Sequence, residues 1–479
     1  MNFEVYQLLS WSALLLFIHI IGLLSAVNAL LRTRSSQSAI GWAISCLTFP
    51  YIAVPAYWIF GKVRFHGYVS DLRSSNFEIA HLDAELQQHI PEYAGLAEDD
   101  LLSCHVFQEL AEMPFTRHND IELLIDGTDF FEEVFRRIEQ ARDYILVQFF
   151  IIRADALGER MRDALLKKSR QGVRVFFLYD QIGSQGISKK YLSELRRGGI
   201  DLRSFRTSRG WSTRFQINFR NHRKAVIVDG EWAATGGANL GLEYCGETEK
   251  FSDWRDTMVA FAGPAVQELQ LAFAKDWYFV ARKLPEMNWH PRRAADGDRS
   301  VLVIPTGPAD KRETAHIAVI EAINSAEERL WITSPYFVPD DAVIRALQLA
   351  ALRGVDVRII LPEKPDHLMV YWASFTYLEE FADTGVRFFR YTEGFMHQKV
   401  ILIDEALAMI GSCNMDNRSF HLNFEVMVLV ASRSFARQVA QMLAEDFRRC
   451  RPAGCDDYHK RGPAFRVIAR LSRLFSPIL

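Results

Sequence analysis

The chain has 479 residues and a mass of 55.0 kDa, too large for one ordinary hydrophobic core, which predicts two domains or one duplicated domain. Its formal net charge of -3 and pI of about 6.5 carry no signature of a nucleic-acid-binding protein. The six cysteines lack CxxC pairs and companion histidines at zinc spacing, so we interpret them as reduced and structural. A disulfide between Cys450 and Cys455 is left open.

The first 67 residues are predicted to form a transmembrane hairpin. The runs Val5 to Leu31 and Ser35 to Gly61 contain no Asp, Glu, Lys or Arg, and each is long enough to cross a hydrocarbon core of about 30 Å as a helix. Pro50 and Pro55 should kink the second helix. Such a hairpin leaves both of its ends on one side of the bilayer.

Two alternatives to this hairpin are a cleaved signal peptide and a buried soluble helical pair. The lack of a basic n-region and the length of the first run argue against a signal peptide. Orientation stays open, because Arg32 and Arg34 between the runs nearly balance Lys62, Arg64 and Arg73 after them.

After a polar connector at 68–118, the chain repeats itself. Residues 138–180 and 323–362 share the order helix end, apolar strand, amphipathic helix, Gly-Val turn and second apolar strand. This order predicts two α/β units, 119–295 and 296–456, with mainly parallel sheets covered by helices, joined near the stretch DGDRS at 296–300. Residues 457–479 form a basic amphipathic tail.

Each unit contains a histidine, a lysine two positions later and an aspartate five positions after the lysine. Because a strand has period two, histidine and lysine share a face. A two-residue turn after Asp229 would pair it with Trp232 and bring Asn239 opposite His222, and the same register brings Asn414 opposite His397. The two copies therefore predict paired clusters of His222, Lys224 and Asn239, and of His397, Lys399 and Asn414.

Two histidines, two lysines and two asparagines around one point suit a phosphodiester. Lysines and amides can stabilise charge on the phosphate oxygens, a neutral histidine can attack phosphorus, and a protonated one can supply the leaving oxygen with a proton. The chain shows no further cluster at metal-ligand spacing, so we predict neither a metal nor another cofactor.

Four carboxylates accompany this set. Asp256 and Glu425 precede apolar strands at comparable places in the two units and could orient the histidines, although a surface charge at a strand start is the alternative. Asp229 and Asp404 belong to the two candidate catalytic motifs, but a regular strand turns them away from the lysines. This orientation favours a hairpin-fixing role for them over contact with phosphorus.

The duplicated HxKxxxxD motif, followed by GGAN in the first copy and GSCN in the second, resembles the phospholipase D superfamily. With "PAYWIFG", "ITSPYFVPD", "GSCNMDNRSFHLNFE" and the terminal "FSPIL", nearly the whole chain is similar to bacterial cardiolipin synthases. The resemblance implies an α/β fold: a duplicated phospholipase D-type sandwich of two mixed, mainly parallel sheets flanked by helices, preceded by the membrane hairpin.

The resemblance also implies a chemistry and a location. A phosphatidyl group would pass from one phosphatidylglycerol to another through a phosphatidyl-histidine, giving cardiolipin and glycerol at the bacterial inner membrane. His222 would be the nucleophile, His397 the general acid and base, and Lys224, Lys399, Asn239 and Asn414 the phosphate ligands. The residues alone are too symmetric to say which histidine attacks.

Two basic segments suggest an anionic lipid surface as partner. The run from Arg196 to Lys224 holds nine basic residues against the single acid Asp201. In the tail, Phe465, Ile468, Leu471 and Phe475 share one helical face, while the arginines Arg466, Arg470 and Arg473 lie on another. An ordinary solvated face and a helix docked on its own domain are the respective alternatives.

The remaining rivals concern the reaction. A membrane-bound phospholipase D hydrolase, a superfamily nuclease or a phosphatidyltransferase with another acceptor would use the same chemistry, although two long apolar runs argue against a nuclease. A non-catalytic lipid-binding scaffold is a further alternative, but both motif copies are intact. Oligomeric state cannot be read from the sequence.

Overall fold

The computed structural model describes residues 3–33, 36–61, 65, 68, 78–96, 104–207, 218–248 and 253–479. These residues fall into two compact units: Met1–Ser70 with Thr207–Phe219, and Asp71–Arg206 with Arg220–Leu479. Both copies of the repeat lie in the second unit, so the division at residue 296 stays a prediction about the repeat. The positions Arg34, Lys62, Arg64, Arg73, Arg209 and Arg214, used above in the charge arguments, lie outside the described residues.

Helices in chain order are α1 Phe3–Arg32, α2 Ser36–Thr48, α3 Pro50–Phe60, α4 Glu78–His89, α5 His105–Ala111, α6 Asp126–Gln140, α7 Ala156–Arg170, α8 Lys189–Arg197, α9 Ala265–Ala281, α10 Thr314–Asn324, α11 Asp341–Leu352, α12 Leu368–Glu380, α13 Asn417–His421, α14 Arg433–Arg448, α15 Cys455–His459 and α16 Pro463–Arg473. The cysteines are all unpaired thiols, so no disulfide joins Cys450 and Cys455.

Strands of the first half are β1 Thr116–Ile125, β2 Tyr144–Phe149, β3 Arg174–Asp180, β4 Asp201–Phe205, β5 Arg220–Asn221, β6 Ala225–Val228, β7 Trp232–Gly236, β8 Trp254–Arg255 and β9 Thr257–Ala262. Those of the second half are β10 Arg299–Thr306, β11 Arg329–Thr333, β12 Phe337–Val338, β13 Asp356–Pro362, β14 Arg387–Tyr391, β15 Phe395–Met396, β16 Val400–Ile403, β17 Leu407–Gly411, β18 Met415–Asp416, β19 Asn423–Ala431 and β20 Cys450–Ala453.

The first apolar run is one long helix, whereas the second is broken. Within the described chain, only α1 has the length and composition of a membrane span, over Ser10–Arg32. Pro50 has no N–H to continue the α2 ladder, and the chain changes direction between Thr48 and Pro50. The helices α2 and α3 have 13 and 11 residues, about 20 and 16 Å at 1.5 Å per residue, and neither spans a core of about 30 Å.

The contacts of α3 show that it returns along α1. The ring of Tyr51, at the start of α3, lies 5.8 Å from that of His19, whereas the hydroxyl of Tyr57 donates to Asn28 Oδ1 at 2.7 Å. The ring of Tyr57 also lies 5.5 Å from that of Trp42, in the middle of α2. The structure therefore does not confirm a second span: the apolar run after α1 is two short helices, and α3 runs back along α1 towards its carboxyl end. The two-span hairpin stays a prediction.

The second unit is built around one continuous sheet path, β20-β14-β13-β11-β16-β17-β19-β10-β1-β9-β7-β6-β2-β3-β4, with β5 attached to β19. The order β1-β9-β7-β6-β2-β3-β4 recurs as β10-β19-β17-β16-β11-β13-β14. This mirror order confirms the duplication, and the two halves join through the antiparallel pair β1 and β10.

The sheet is mixed, but the expectation of mainly parallel strands is wrong. Along the path, only β2-β3-β4 and β11-β13-β14 run parallel, and the other neighbours are antiparallel. Strands β2 and β19 are buried along their whole length. Continuous apolar runs indicate strands that are buried on both faces, and such burial is usual for parallel sheets. Here helices also cover the antiparallel strands, so burial did not indicate strand direction.

Both motif hairpins have a different register from the predicted one. Val228 pairs with Trp232, and Ile403 pairs with Leu407, so each loop has three residues rather than two. The extra residue is Asp229 in the first hairpin and Asp404 in the second, and both adopt a left-handed conformation, with φ of 54° and 53° respectively. A shift of one residue moves side chains to the opposite face of a strand. The predicted pairing of Asn239 with His222 and of Asn414 with His397 therefore does not follow from the hairpin register.

Candidate active site

Each histidine is held by the other half of the chain. Strand β5 pairs with β19, and the backbone N–H of His222 donates to the carbonyl of Phe424 at 2.9 Å. Strand β15 pairs with β8, and the N–H of His397 donates to the carbonyl of Arg255 at 2.7 Å. Both strands thus leave their own hairpin and add to the opposite half, which places each histidine beside residues of the other repeat copy.

The orienting carboxylates are crossed in the same way. His222 Nδ1 lies 2.9 Å from Glu425 Oε2, and His397 Nδ1 lies 2.8 Å from Asp256 Oδ2. Both carboxylates are fully buried. When Nδ1–H donates to the carboxylate, the lone pair remains on Nε2, and this tautomer suits a nucleophile or a base.

Burial sets the charge of the imidazoles. Burial lowers the pKa of His222 to about 4 even though Glu425 opposes it. Burial and the charge of Lys399 lower the pKa of His397 to about 4, against the raising effect of Asp256. Both rings are therefore neutral near pH 7 in the absence of substrate.

The lysines lie beside their histidines. Lys224 Nζ donates to the carbonyl of His222 at 2.6 Å, and Lys399 Nζ donates to the carbonyl of His397. Burial lowers the pKa of Lys399 to about 8, although the charges of Asp256 and Glu425 oppose it. Burial lowers the pKa of Lys224 well below its usual value. A bound phosphate would favour the ammonium form of both lysines, because a nearby anion stabilises the positive charge.

The two asparagines differ in their partners. Asn239 Oδ1 accepts from the N–H of Ile151 at 3.0 Å, and its Nδ2 donates to the hydroxyl of Tyr244 at 2.8 Å. Asn414 is 3% exposed, and its Oδ1 has no hydrogen-bond partner among the described residues.

The carboxylates of Asp229 and Asp404 bind backbone N–H groups at the starts of neighbouring strands. The carboxylate of Asp229 accepts from the N–H groups of Arg142, Asp143 and Tyr144 at 2.8 Å each, where β2 begins. Asp404 accepts from three consecutive N–H groups, those of 327–329, at the start of β11, over 2.7 to 3.1 Å. Each aspartate ties its hairpin turn to the neighbouring strand.

The GGAN sequence of the first motif has a steric reason. A Cβ at Gly237 would overlap the carboxylate of Asp256. In the second motif Ser412 occupies the equivalent place, and its hydroxyl donates to Glu425 Oε2 at 2.5 Å. Asn423 Nδ2 also donates to Glu425, at 3.0 Å to Oε1.

Sequence reasoning missed the buried ion pairs behind the motifs. Arg223, between His222 and Lys224, contacts Asp276 at 2.9 Å and donates to the carbonyl of Glu425. Arg255 binds Asp446 through two nitrogens at 2.8 and 2.9 Å. Asp276 and Asp446 occupy equivalent positions near the ends of α9 and α14, so extending the repeat alignment into these helices would have found them.

One group outside the site has the residues of a metal centre. Donor atoms of Glu313, His316 and His421 all lie within 4.8 Å of one another. The ring of His316 is already hydrogen-bonded on both sides, by Glu313 at 3.2 Å and Asp340 at 3.0 Å. Burial lowers its pKa, but these two carboxylates outweigh burial and raise it to about 9. A protonated ring thus joins the starts of α10 and α11 without a metal.

The predicted basic run is not one solvated patch. Arg223 and Lys224 are buried, and Arg203 pairs with Asp201 at 2.5 Å. The tail helix α16 docks on α12, where Phe465 packs against Phe375 and Arg470 pairs with Glu379 at 2.5 Å. Its outer face is apolar, with exposed Val467, Ile468, Leu471, Leu474 and Phe475.

Comparisons with known proteins agree with this architecture. The family model described as cardiolipin synthase, PLD-like domain, matches residues 134–277 and 319–450. The chain is 43% identical over 482 aligned residues to cardiolipin synthase A of Pseudomonas putida KT2440, covering 100% of both chains. It is 45% identical to cardiolipin synthase A of Pseudomonas aeruginosa PAO1, covering 97% of this chain and 96% of that one.

A solved structure supports the fold alone. The crystal structure of phosphatidylserine synthase from Haemophilus influenzae Rd KW20 superposes with a TM-score of 0.62 at 14% identity, covering 78% of this chain and 99% of that one. Its likeness extends over most of the chain. The family match over both halves and the full-length relatives show that this chain belongs to the cardiolipin synthase family of phospholipase D-like phosphatidyltransferases.

Proposed function

We propose that the protein transfers a phosphatidyl group from one phosphatidylglycerol to the glycerol hydroxyl of another, releasing glycerol and forming cardiolipin. The observation that carries this proposal is the crossed pairing of His222 with Glu425 and of His397 with Asp256. Two oriented imidazoles drawn together from opposite halves provide one nucleophile and one proton carrier for the same phosphorus atom.

In the first step, Nε2 of His222 attacks phosphorus and the bond to the departing glycerol breaks. His397 supplies the proton that this glycerol oxygen needs. Both rings are neutral without substrate, so His397 must gain its proton as the anionic phosphodiester enters, because the negative charge raises the pKa of a neighbouring imidazole. Lys224, Lys399, Asn239 and Asn414 hold the phosphate oxygens.

In the second step, the incoming glycerol hydroxyl gives its proton to His397 and bonds to phosphorus as the bond to His222 breaks. One phosphodiester replaces another, so the overall reaction needs no nucleotide and no redox cofactor. Water competes for the intermediate, and a lipid acceptor is favoured when the site lies at a membrane surface that concentrates it.

The protein is membrane-associated, and we propose that it sits in the bacterial inner membrane through α1, with α2 and α3 as a re-entrant pair. The exposed apolar face of α16, including Leu471 at 54% and Leu474 at 75% exposure, would rest on an anionic lipid surface. Phe465, Arg470 and Arg473 of this helix contact α12, so its exposed apolar side needs another cover. Cysteines placed before α1 and after α3 test the single crossing, since they should react from opposite sides with an impermeant thiol reagent.

The decisive experiment supplies phosphatidylglycerol alone and identifies the products. Cardiolipin with equimolar glycerol supports the synthase. Phosphatidic acid as main product would indicate a hydrolase, and turnover only after addition of another lipid alcohol would indicate a different acceptor. His222→Ala and His397→Ala should fold and lose nearly all turnover, whereas wild-type-like turnover in either would favour a non-catalytic role for these histidines.

A further inference from the structure

A cavity opens at the carboxyl ends of β11, β13 and β14 in the second half. It is narrow, with about 10 Å³ available to a water-sized molecule, and its lining includes Tyr336, Asp366, His367, Ser374 and Arg390. Ligands of α/β folds commonly bind at the carboxyl ends of parallel strands. This cavity therefore has the location of a binding subsite.

Tyr336 joins this cavity to the active site. Strands β12 and β18 are parallel, with Phe337 opposite Met415, so the preceding residues Tyr336 and Asn414 are neighbours. Ser334 strengthens this contact: its hydroxyl donates to the carbonyl of Tyr336 at 2.7 Å and accepts from the N–H of Met415 at 3.0 Å. The phenol of Tyr336 donates to Asp366 Oδ2 at 2.5 Å.

The first half has no such polar pair. In the repeat, Ile151 takes the place of Tyr336 and Ser184 that of Asp366. The backbone of Ile151 satisfies Asn239 Oδ1, and the Ser184 hydroxyl donates to the carbonyl of Phe150. In the second half, by contrast, Asn414 Oδ1 is buried and has no partner among the described residues. The two halves are thus alike at the histidines and different beside the asparagines.

The chemistry of this difference selects the ligand. A carboxylate and an amide carbonyl only accept hydrogen bonds, and Asp366 keeps lone pairs beyond those used by Tyr336 and the N–H of His367. These two acceptors favour O–H donors as ligands, while Arg390 in the same lining donates to the carbonyl of Pro362 and to the hydroxyl of Ser374. The negative charge of Asp366 also raises the pKa of both His397 and Lys399, which agrees with its position near the reacting groups.

We propose that Tyr336, Asp366 and the amide carbonyl of Asn414 form the subsite for the glycerol headgroup of the acceptor phospholipid. This inference rests on the proposed function and extends it to the second substrate. These acceptors hold the headgroup through the hydroxyl that does not react; the reacting hydroxyl loses its proton to His397, and its oxygen bonds to phosphorus as the bond between phosphorus and His222 breaks. Asp366 is a positioning residue, because it fixes the acceptor without touching phosphorus.

Asp366→Asn and Tyr336→Phe test the subsite, with Asp383→Asn, at an exposed position after α12, as the matched control. With phosphatidylglycerol as sole lipid, the ratio of cardiolipin to phosphatidic acid is measured together with phosphatidyl-enzyme trapped by acid quench. Loss of a hydrogen bond to a charged group should lower this ratio about tenfold or more in Asp366→Asn. Tyr336→Phe should lower it less, and both variants should still form the covalent enzyme.

An unchanged product ratio in both variants would overturn the subsite, whatever their total turnover. Loss of covalent enzyme in both variants with normal thermal unfolding would also overturn it, because the residues would then serve the first step. Failure of the wild-type protein to make cardiolipin is a separate result that rejects the proposed function. The Asp383→Asn protein should match the wild type in every measurement.

Discussion

Replacing Glu425 by glutamine tests the crossed arrangement most directly. Glu425 Oε2 accepts from His222 and from the Ser412 hydroxyl, while Oε1 accepts from Asn423 Nδ2. A glutamine offers one oxygen and one NH₂ group in the same volume. If the glutamine oxygen faces His222, its NH₂ group faces Asn423, whose amide must then turn to offer Oδ1, an atom without a partner among the described residues. In the opposite orientation the NH₂ group faces His222 and turns it to the tautomer with its proton on Nε2.

The expected loss of turnover is large, although the substitution exchanges only one oxygen for an NH₂ group. An amide in place of the carboxylate that orients a catalytic histidine typically costs about 10³- to 10⁴-fold in turnover, because the ring presents the wrong nitrogen. An unsatisfied buried hydrogen bond adds about 1 to 3 kcal/mol of lost stability. Glu405, exposed in the turn of the second hairpin, provides the matched control: Glu405→Gln should change neither the turnover nor the stability.

The assay combines steady-state release of glycerol with trapping of the phosphatidyl-enzyme. If His222 is the nucleophile, Glu425→Gln should block formation of the covalent enzyme, whereas Asp256→Asn should impair the proton transfers that His397 performs. Adding Glu425→Gln to His222→Ala should cost nothing further, because the carboxylate acts through that imidazole. The reasoning fails if Glu425→Gln keeps turnover within about tenfold of the wild type, given an oriented-histidine effect of the size above.

Three further predictions follow from the contacts. Asp229→Ala removes an acceptor of three N–H groups and should cost roughly 2 to 4 kcal/mol in unfolding free energy; a fall in kcat with unchanged thermal unfolding would contradict its structural role. Gly237→Ser, which copies the second motif, should displace Asp256 and lower turnover at least about a hundredfold, since misplaced catalytic groups cost that much; wild-type kcat in this variant would show that the site has room for the side chain. His316 has a pKa raised from 6.5 to about 9, so its stabilising effect is complete below pH 6.5 and disappears as the pH rises through 9. The stability difference between wild type and His316→Gln should shrink by roughly 3 kcal/mol over that window, measured by urea unfolding, and a pH-independent difference would exclude the charged ring as its cause.

The sequence by itself singled out the candidate residues of the site and revealed the duplication. The histidine and lysine two positions apart, followed in both copies by an aspartate and an asparagine, could be recognised from the sequence because strand periodicity and turn chemistry are local properties. Asp256 and Glu425 could be chosen for the same reason, since each precedes an apolar strand at a comparable place in the repeat. Local pattern also predicted that Pro50 disturbs the second apolar run.

Only the tertiary structure decided which groups act together. The sequence could not assign Glu425 to His222, because that bond joins residues 203 positions apart and depends on β5 adding to β19. The hairpin register differed by one residue, because backbone amides of β2 capture Asp229 in a left-handed conformation. Whether a proline bends a helix or reverses the chain likewise depends on packing, because the hydroxyl of Tyr57 on α3 bonds to Asn28 on α1, a contact between residues 29 positions apart.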